Sequence, residues 1–276
     1  MNKNKVSVLM SVYHKEKPAN LKMAVESIIN QTYKADEIIL VEDGPLSLEL
    51  DKIIKKLQKK CSYLYTVKLE KNMGLGKALN EGLKYCNNKY IARMDSDDIS
   101  ELNRLELQIS YMISHPEIDV LGGNIIEFDD ETGKNLSYRN VPRKCEEIKR
   151  FLKRRNPMNH VTVMFKKEKV EASGGYLDCL FFEDYYLWAR MLKNNCIFSN
   201  LDDVLVKVRA GLSMAGRRGN INYIKSIIVF EKRLLDLKLI NFFDFLYNIS
   251  VRSTVSLMPN KIRYYIYQRR LRNEKN

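Results

Sequence analysis

Along the N-terminal third of the chain, short apolar runs rich in β-branched residues alternate with stretches in which apolar residues recur three and four positions apart. The runs Val6–Val12, Glu37–Glu42, Tyr63–Leu69 and Tyr90–Met94 predict buried strands. Between them, Leu21–Asn30, Leu48–Lys60 and Leu75–Cys86 predict helices. Leu21, Ala24, Val25 and Ile28 form one apolar stripe, and Pro18 is tolerated near the helix start because an N–H there has no intrahelical partner to lose. A βα rhythm of this kind builds a parallel, doubly wound α/β sheet. Ligands of such sheets collect outside the carboxyl ends of the strands. Three of those ends carry candidate groups: Ser11-Val12-Tyr13, Glu42-Asp43-Gly44 and Asp95-Ser96-Asp97-Asp98.

The second half reads as mixed rather than parallel. Asn103–His115 predicts an amphipathic helix, and apolar runs at Val120–Phe128 and Val161–Phe165 flank a basic helix around Ile148–Arg155. A helix starting near Asp184 carries Leu187, Met191 and Leu192, and Cys196–Leu201 and Val204–Arg209 predict two short strands. The catalytic domain is therefore expected to close near residue 212, leaving 213–276 as a basic helical extension. In that extension Asn241, Asp244, Asn248 and Arg252 line one side of a helix, opposite Phe242, Phe245, Leu246 and Ile249. No run reaches the roughly twenty apolar residues of a membrane span, and Val6–Val12 is too short and wrongly flanked for a secretion signal.

Composition narrows the partners. With 276 residues and 45% apolar positions the chain can bury a large core, while 47 Lys and Arg against 34 Asp and Glu give a formal charge of +13. That surface attracts anions: phosphorylated substrates, nucleic acid or acidic lipid. The five cysteines are scattered, with no Cys-x-x-Cys, which fits a reducing compartment and neither a disulfide framework nor a zinc site.

Against this basic background stand Asp95, Asp97 and Asp98. Three carboxylates so close repel one another unless a cation or hydrogen-bond donors offset them. Mg²⁺ and Mn²⁺ prefer oxygen ligands and bridge one or two carboxylates to substrate phosphates. The alternative is that Asp97 and Asp98 cap a following helix; their place at the rim of the predicted sheet favours the metal. Gly74-Leu75-Gly76-Lys77 is no phosphate loop, since Ala78 follows the lysine and Leu79 stands where a dinucleotide fingerprint needs glycine or alanine.

Taken in order, Val-Ser-Val-Leu-Met-Ser-Val-Tyr at 6–13, Val-Glu-Asp-Gly at 41–44, Asn-Met-Gly-Leu-Gly-Lys-Ala-Leu-Asn at 72–80, Arg-Met-Asp-Ser-Asp-Asp at 93–98 and Glu-Asp-Tyr-Tyr-Leu-Trp at 183–188 resemble the inverting family 2 glycosyltransferases. The resemblance spans about residues 5–212. It implies the GT-A fold, a Rossmann-like mixed sheet flanked by helices, with a nucleotide-sugar donor, Mn²⁺ or Mg²⁺, and inversion at the anomeric carbon. By the same resemblance Ser11, Val12 and Tyr13 pack around the nucleotide, Asp43 recognises the base, Asp95 holds ribose or sugar, and Asp97 coordinates the metal. Arg93 and Asp98 support the loop or touch donor hydroxyls. Asn72 and Gly74 open the third helix, whose free N–H groups suit phosphate or ribose.

Inversion needs a carboxylate to take the acceptor's proton as charge builds on the leaving diphosphate. The resemblance assigns this to Asp184, beside the aromatic run Phe181-Phe182; its other reading is a helix cap. Glu183 is the neighbouring acid on the acceptor side. Trp188 and Tyr185 stack on a sugar or belong to the core. The run Asn159–Phe165 resembles the strand ahead of the base in polysaccharide-assembling relatives, making His160 a substrate contact or a structural histidine. Gly174-Gly175-Tyr176 reads as a turn into the site. Where many relatives place a histidine ligand after the last strand, this chain offers Arg209, Arg217 and Arg218, which suit a diphosphate clamp.

The tail interleaves Lys261, Arg263, Arg269, Arg270, Arg272 and Lys275 with tyrosines, a pattern for an anionic membrane surface or for a solvated packing helix. The absent span and the resemblance together give the expectation of a peripheral enzyme on the cytoplasmic face of the inner membrane; the resemblance alone implies that it moves glucose or galactose from a UDP-sugar to a lipid-diphosphate-linked saccharide, by a β1,3 link to an N-acetylhexosamine, in O-antigen or capsule assembly. A nucleotidyltransferase would show a glycine-rich basic loop near the first strand, which Ser11-Val12-Tyr13-His14-Lys15 lacks. A nucleic-acid-binding protein leaves the acidic cluster unexplained, and no nucleic acid is expected among the partners.

Overall fold

The computed structural model describes residues 4–210, 220–260, 262, 263, 265 and 266. The chain runs β1 (Val6–Val12), α1 (Pro18–Ile29), β2 (Glu37–Glu42), α2 (Leu48–Lys60), β3 (Leu64–Lys68), α3 (Leu75–Tyr85) and β4 (Tyr90–Asp95). It continues through β5 (Ile99–Ser100), α4 (Arg104–Ser114), β6 (Val120–Asp129), β7 (Asn135–Arg139), α5 (Cys145–Leu152), β8 (Met164–Lys166), α6 (Lys167–Ala172), α7 (Glu183–Lys193) and β9 (Phe198–Ala210). Two longer helices follow, α8 (Ile221–Asp236) and α9 (Phe242–Leu257).

The strands form one sheet in the order β3-β2-β1-β4-β8-β6-β9-β5, with β7 on the side of β6. The first four strands are mutually parallel, β8 runs against β4, and β6 and β9 are parallel to each other. Both faces are covered, so β1 is apolar almost throughout instead of alternating with polar residues. Val8 and Met10 enter the core under α1, α2 and α4, whereas Leu9 enters the core under α3, α7 and α8. The helices beyond residue 219 share that second core through Ile227, Phe230 and Leu234.

Three elements differ from the sequence reading. The two short strands expected near 196–209 are one, because Leu201-Asp202-Asp203 is accommodated as an irregularity against β6. The strand expected at Val161–Phe165 begins only at Met164; His160–Thr162 form a 3₁₀ turn in which the Thr162 hydroxyl donates to the Asn159 carbonyl at 2.8 Å and so competes with ladder pairing. The basic helix ends at Leu152, since the Arg154 and Arg155 N–H groups both turn back to the Phe151 carbonyl. The orientation of α9, which periodicity leaves open, is set here: Asn248 is 3% exposed and Phe245 and Ile249 pack on the core, while Phe243 is 80% exposed.

Candidate active site

The parallel registers align the ends of three strands. Ser11 stands opposite Asp95 on β4 and Val41 on β2, and Val12 stands opposite Glu42. Ser11 is half-buried, Val12 is enclosed and Tyr13 is exposed, edge-on to the His14 ring at 5.6 Å. One residue past β2, Asp43 is buried, and its carboxylate accepts from the Met73 N–H at 2.7 Å and the Gly74 N–H at 3.1 Å. The Asn72 amide donates to the Asp43 carbonyl at 3.2 Å. Asp43 therefore holds the 72–74 loop in place, a role that motif order did not suggest. Gly44 makes this approach possible: its φ is +86°, and a Cβ there would lie 2.5 Å from the Asn72 nitrogen. Gly74, with φ +85°, precedes the first turn of α3.

Beyond Asp95 the chain crosses the sheet end and pairs β5 with β9, Ile99 opposite Lys207. The helix-cap reading of Asp97 and Asp98 is thereby removed, because α4 starts at Arg104 after Asn103. Carboxylate oxygens of Asp95, Asp97 and Asp98 lie within 4.8 Å of one another, the cluster being made of these three alone among the described residues. Burial, then the charges of Asp95 and Glu16, push the Asp97 carboxyl up to about 7. Burial does the same to Asp98, which is raised well above the carboxylate range. A set of oxygens that resists losing its protons together is what a divalent cation would relieve. The donor set thus fits Mn²⁺ or Mg²⁺.

Asp98 is enclosed and accepts from the Arg209 backbone N–H at 2.8 Å, so it braces the loop from below. Arg209 Nε donates to the Asp97 carbonyl at 2.8 Å and its Nη1 pairs with Asp130. Nε and Nη1 of this guanidinium brace the acidic loop, and Nη2 has no hydrogen-bond partner among the described residues. Arg217 and Arg218 lie outside the described residues.

Arg93 is buried and grips Asp95 with both terminal nitrogens, Nη1 to Oδ2 at 2.7 Å. It supports Asp95 rather than facing solvent. Its charge also reaches the second acidic group: burial raises Asp184, while the amide of Asn156, 2.6 Å from Oδ2, and the charges of Arg93 and Arg139 pull it down. Asp184 is not the cap of α7, a position held by Phe182; it stands in the first turn with Glu183, whose carboxyl burial also raises. Glu183 packs on the start of α3, where a Cβ on Gly76 would meet its Cγ at 3.2 Å.

His160 Nε2 and the Tyr176 hydroxyl are 2.8 Å apart, and burial followed by the Arg93 charge holds the imidazole well below its ordinary range, so it is neutral. Trp188 is fully buried against His160 and Phe198, and its ring offers no face to an acceptor.

Several residues in this constellation carried no sequence signal of their own. Asn80 exchanges two hydrogen bonds with the Tyr176 backbone, at 2.6 and 2.8 Å, and Arg190 Nη2 donates to the Gly175 carbonyl at 2.6 Å. Arg104 is wholly buried and donates to the Arg93 carbonyl at 2.7 Å, fixing the end of β4. Asn80 closes one of the motifs quoted above; Asn156, Arg190 and Arg104 could be found only by knowing the fold.

The sequence model of the family described as Glycosyl transferase family 2 matches residues 7–172. The amylovoran biosynthesis glycosyltransferase AmsE of Erwinia amylovora is 43% identical, over 95% of this chain and 98% of that protein. An Escherichia coli protein named UDP-Gal:alpha-D-GlcNAc-diphosphoundecaprenol beta-1,3-galactosyltransferase is 37% identical, over 97% of each. Among solved structures, residues 1–349 of S. aureus TarS in complex with UDP-GlcNAc align over 96% of this chain and 74% of that one, at TM-score 0.64 and 19% identity. The mannosyltransferase PcManGT from Pyrobaculum calidifontis, in complex with GDP-Man and Mn²⁺, aligns over 94% and 71%, at TM-score 0.62 and 12% identity. At such identities these two establish the fold alone.

Proposed function

Because the chain belongs to glycosyl transferase family 2 and is a hexosyltransferase with the GT-A fold, we propose that it moves galactose or glucose from a UDP-sugar, with inversion, to a lipid-diphosphate-linked saccharide in O-antigen or capsule assembly. The linkage in this reading is β1,3 to an N-acetylhexosamine. The E. coli relative's name supports the donor, the acceptor and the linkage, and AmsE supports polysaccharide assembly. Family membership leaves the nucleotidyltransferase alternative without support.

The observation that carries the reading is the pair of carboxylate groups whose charges Arg93 influences together: the strand-end cluster of Asp95, Asp97 and Asp98, and the half-buried Asp184. Asp97 would hold a divalent ion, with Asp95 and Asp98 oxygens close by. Bound there, the ion would offset the charge of the leaving diphosphate. Ser11, Val12, Tyr13, Asn72 and Gly74 border the nucleotide in this arrangement, and Asp95 orients ribose or sugar. Asp184 takes the proton from the acceptor hydroxyl as that oxygen attacks the anomeric carbon. Burial makes its carboxylate a better base than an exposed aspartate, and the Asn156 amide opposes that rise and aims the group. Glu183 and His160 flank the acceptor, His160 as a neutral group held by Tyr176.

In this reading residues 1–212 carry the chemistry and 213–276 form a basic helical extension for a membrane surface or for packing. Among the described residues no helix is long and apolar enough to cross a membrane, and we place the enzyme peripherally on the cytoplasmic face of the inner membrane, against anionic lipid. The test is direct. The purified chain with Mn²⁺ is offered UDP-galactose, UDP-glucose and other UDP-sugars with a synthetic N-acetylglucosamine-diphospho-lipid, and the disaccharide is analysed for anomer and linkage. A β1,3-hexosyl product is expected; the absence of transfer from every UDP-sugar would refute the reading.

A further inference from the structure

The outward surface of α8 and α9 departs from what water favours. A helix packed on a core normally turns its apolar stripe inward. In α9 a polar stripe turns inward instead, beside Phe245 and Ile249, which pack on the core. The Asn248 amide donates to the Glu231 carboxylate of α8 at 2.8 Å, Arg252 Nε lies 3.1 Å from the same carboxylate, and Arg154 bonds Asn248 at 2.8 Å and Asp244 at 2.6 Å. Glu231 is wholly buried. The six large apolar side chains left on the outside are Phe242, Phe243, Leu246, Tyr247, Val251 and Leu257, with Phe243 80% and Leu257 74% exposed. They recur at helical spacing along one side. On α8 the outward positions interleave Ile221, Ile228 and Val229 with the exposed Lys225 and Lys232.

Burying an ion-pair network while exposing phenylalanine is unfavourable on both counts in water. The same orientation is favourable where the outer medium is partly hydrocarbon, and lysines spaced among isoleucine and valine suit anionic headgroups, their stems lying along apolar surface. A second copy of the chain is a poorer occupant: it would bring the same lysines and the same excess of positive charge to the contact.

We propose that the outward faces of α8 and α9 form a docking surface for an anionic lipid bilayer, lying in the interfacial plane with Phe242, Phe243, Leu246 and Leu257 entering the acyl boundary and Lys225 and Lys232 at the phosphates. This rests on the reading of a lipid-linked acceptor and moves the membrane contact from the basic tail to a folded helical face. The fold connects this face to the candidate base. Asn248 donates to the Lys153 carbonyl at 2.8 Å and Arg252 to the Arg154 carbonyl at 2.9 Å, two residues before Asn156, which holds Asp184. Phe181, exposed just ahead of Glu183, stacks edge-on against Tyr223 of α8 at 5.1 Å.

The experiment uses the full chain and sedimentation with vesicles of phosphatidylglycerol and phosphatidylethanolamine, against phosphatidylcholine vesicles. Wild type is expected to prefer the anionic vesicles. The double variant F243S/L246S should partition at least about tenfold more weakly, and K225E/K232E should lose the preference for anionic lipid. Both should keep wild-type turnover on a short-chain, water-soluble acceptor. F243W, which keeps the surface apolar, should give a blue-shifted emission with anionic vesicles, against the already buried Trp188. The proposal is overturned by F243S/L246S sedimenting as wild type does, or by that variant dissolving a dimer while vesicle binding persists. Vesicle binding that requires these residues, without transfer to any acceptor, would refute the assigned reaction and uphold the docking face.

Discussion

The donor side and the acceptor side of this site are built by different means. On the donor side, groups sit at the ends of β1, β2 and β4, and the backbone holds them: Asp43 accepts from two main-chain N–H groups, Asp98 accepts from another, and Arg104 fixes the Arg93 carbonyl. On the acceptor side, side chains from other segments do the holding: Asn156 holds Asp184, Tyr176 holds His160, and Asn80 and Arg190 hold the backbone of the Gly175-Tyr176 turn. A strand-end carboxylate inherits its position from sheet register. The Asp184 carboxylate, in the first turn of α7, accepts from the side chain of Asn156, 28 residues away, so its environment is the more easily altered by one substitution.

The largest effects should come where each side meets the chemistry. Asp97→Asn and Asp184→Asn should each reduce kcat by about a thousandfold, yet they should separate by binding. Titration calorimetry with UDP-sugar and Mn²⁺ should find donor affinity lost with Asp97→Asn and retained with Asp184→Asn. Equal losses of donor binding would erase the distinction between the two sides.

Next is a backbone test of the donor side. Gly44→Ala forces a left-handed φ on a side chain whose Cβ meets the Asn72 nitrogen at 2.5 Å, so the 72–74 loop must move. Unfolding by denaturant should show a loss of about 2 kcal/mol, with the KM for the donor raised and the KM for the acceptor unchanged. The equivalent change at Gly133, whose φ is +68° but whose Cβ would meet nothing, should leave both constants alone.

The same contrast explains what could be read from the sequence. The strands β1 to β4, their helices and the groups at their ends were legible because hydrophobic periodicity locates a strand end to within a residue or two, and a parallel sheet then brings such ends together. Elements governed by tertiary partners were not. Thr162 turns an apparent strand into a 3₁₀ turn through its own hydroxyl, β9 absorbs Asp202-Asp203 only because β6 lies beside it, and Trp188 sits in a helix whose periodicity cannot say which neighbours enclose it. The periodicity of α9 was legible, but its orientation was not, since Glu231 and Arg154 draw the polar stripe inward.

A smaller effect, on the donor side, concerns protons. Burial and the charges of Asp95 and Glu16 push Asp97 up to about 7, and a metal binds only the ionised carboxylate. Without donor present, Mn²⁺ affinity measured by equilibrium dialysis should rise by up to about tenfold per pH unit below that value and level off above it. Glu16→Gln removes one of the repelling charges and should carry Mn²⁺ binding to lower pH. An affinity flat from acid to neutral pH would remove Asp97 from the metal's ligands.

The smallest expected effect bears most directly on how the acceptor side is held. Asn156 donates to Asp184 at 2.6 Å and opposes the rise that burial imposes on that carboxyl. A base must be ionised to act, so activity climbs as pH rises through the pKa of Asp184 and is lost below it. Removing the amide leaves burial less opposed and raises that pKa further. Asn156→Ala should therefore move the acid limb of the kcat profile to higher pH and lower kcat by about fivefold at neutral pH, with a fall that shrinks as pH rises. Donor KM should not change. A uniform loss at every pH would mean that Asn156 only packs, and a raised donor KM would mean that the two sides of the site are not held independently.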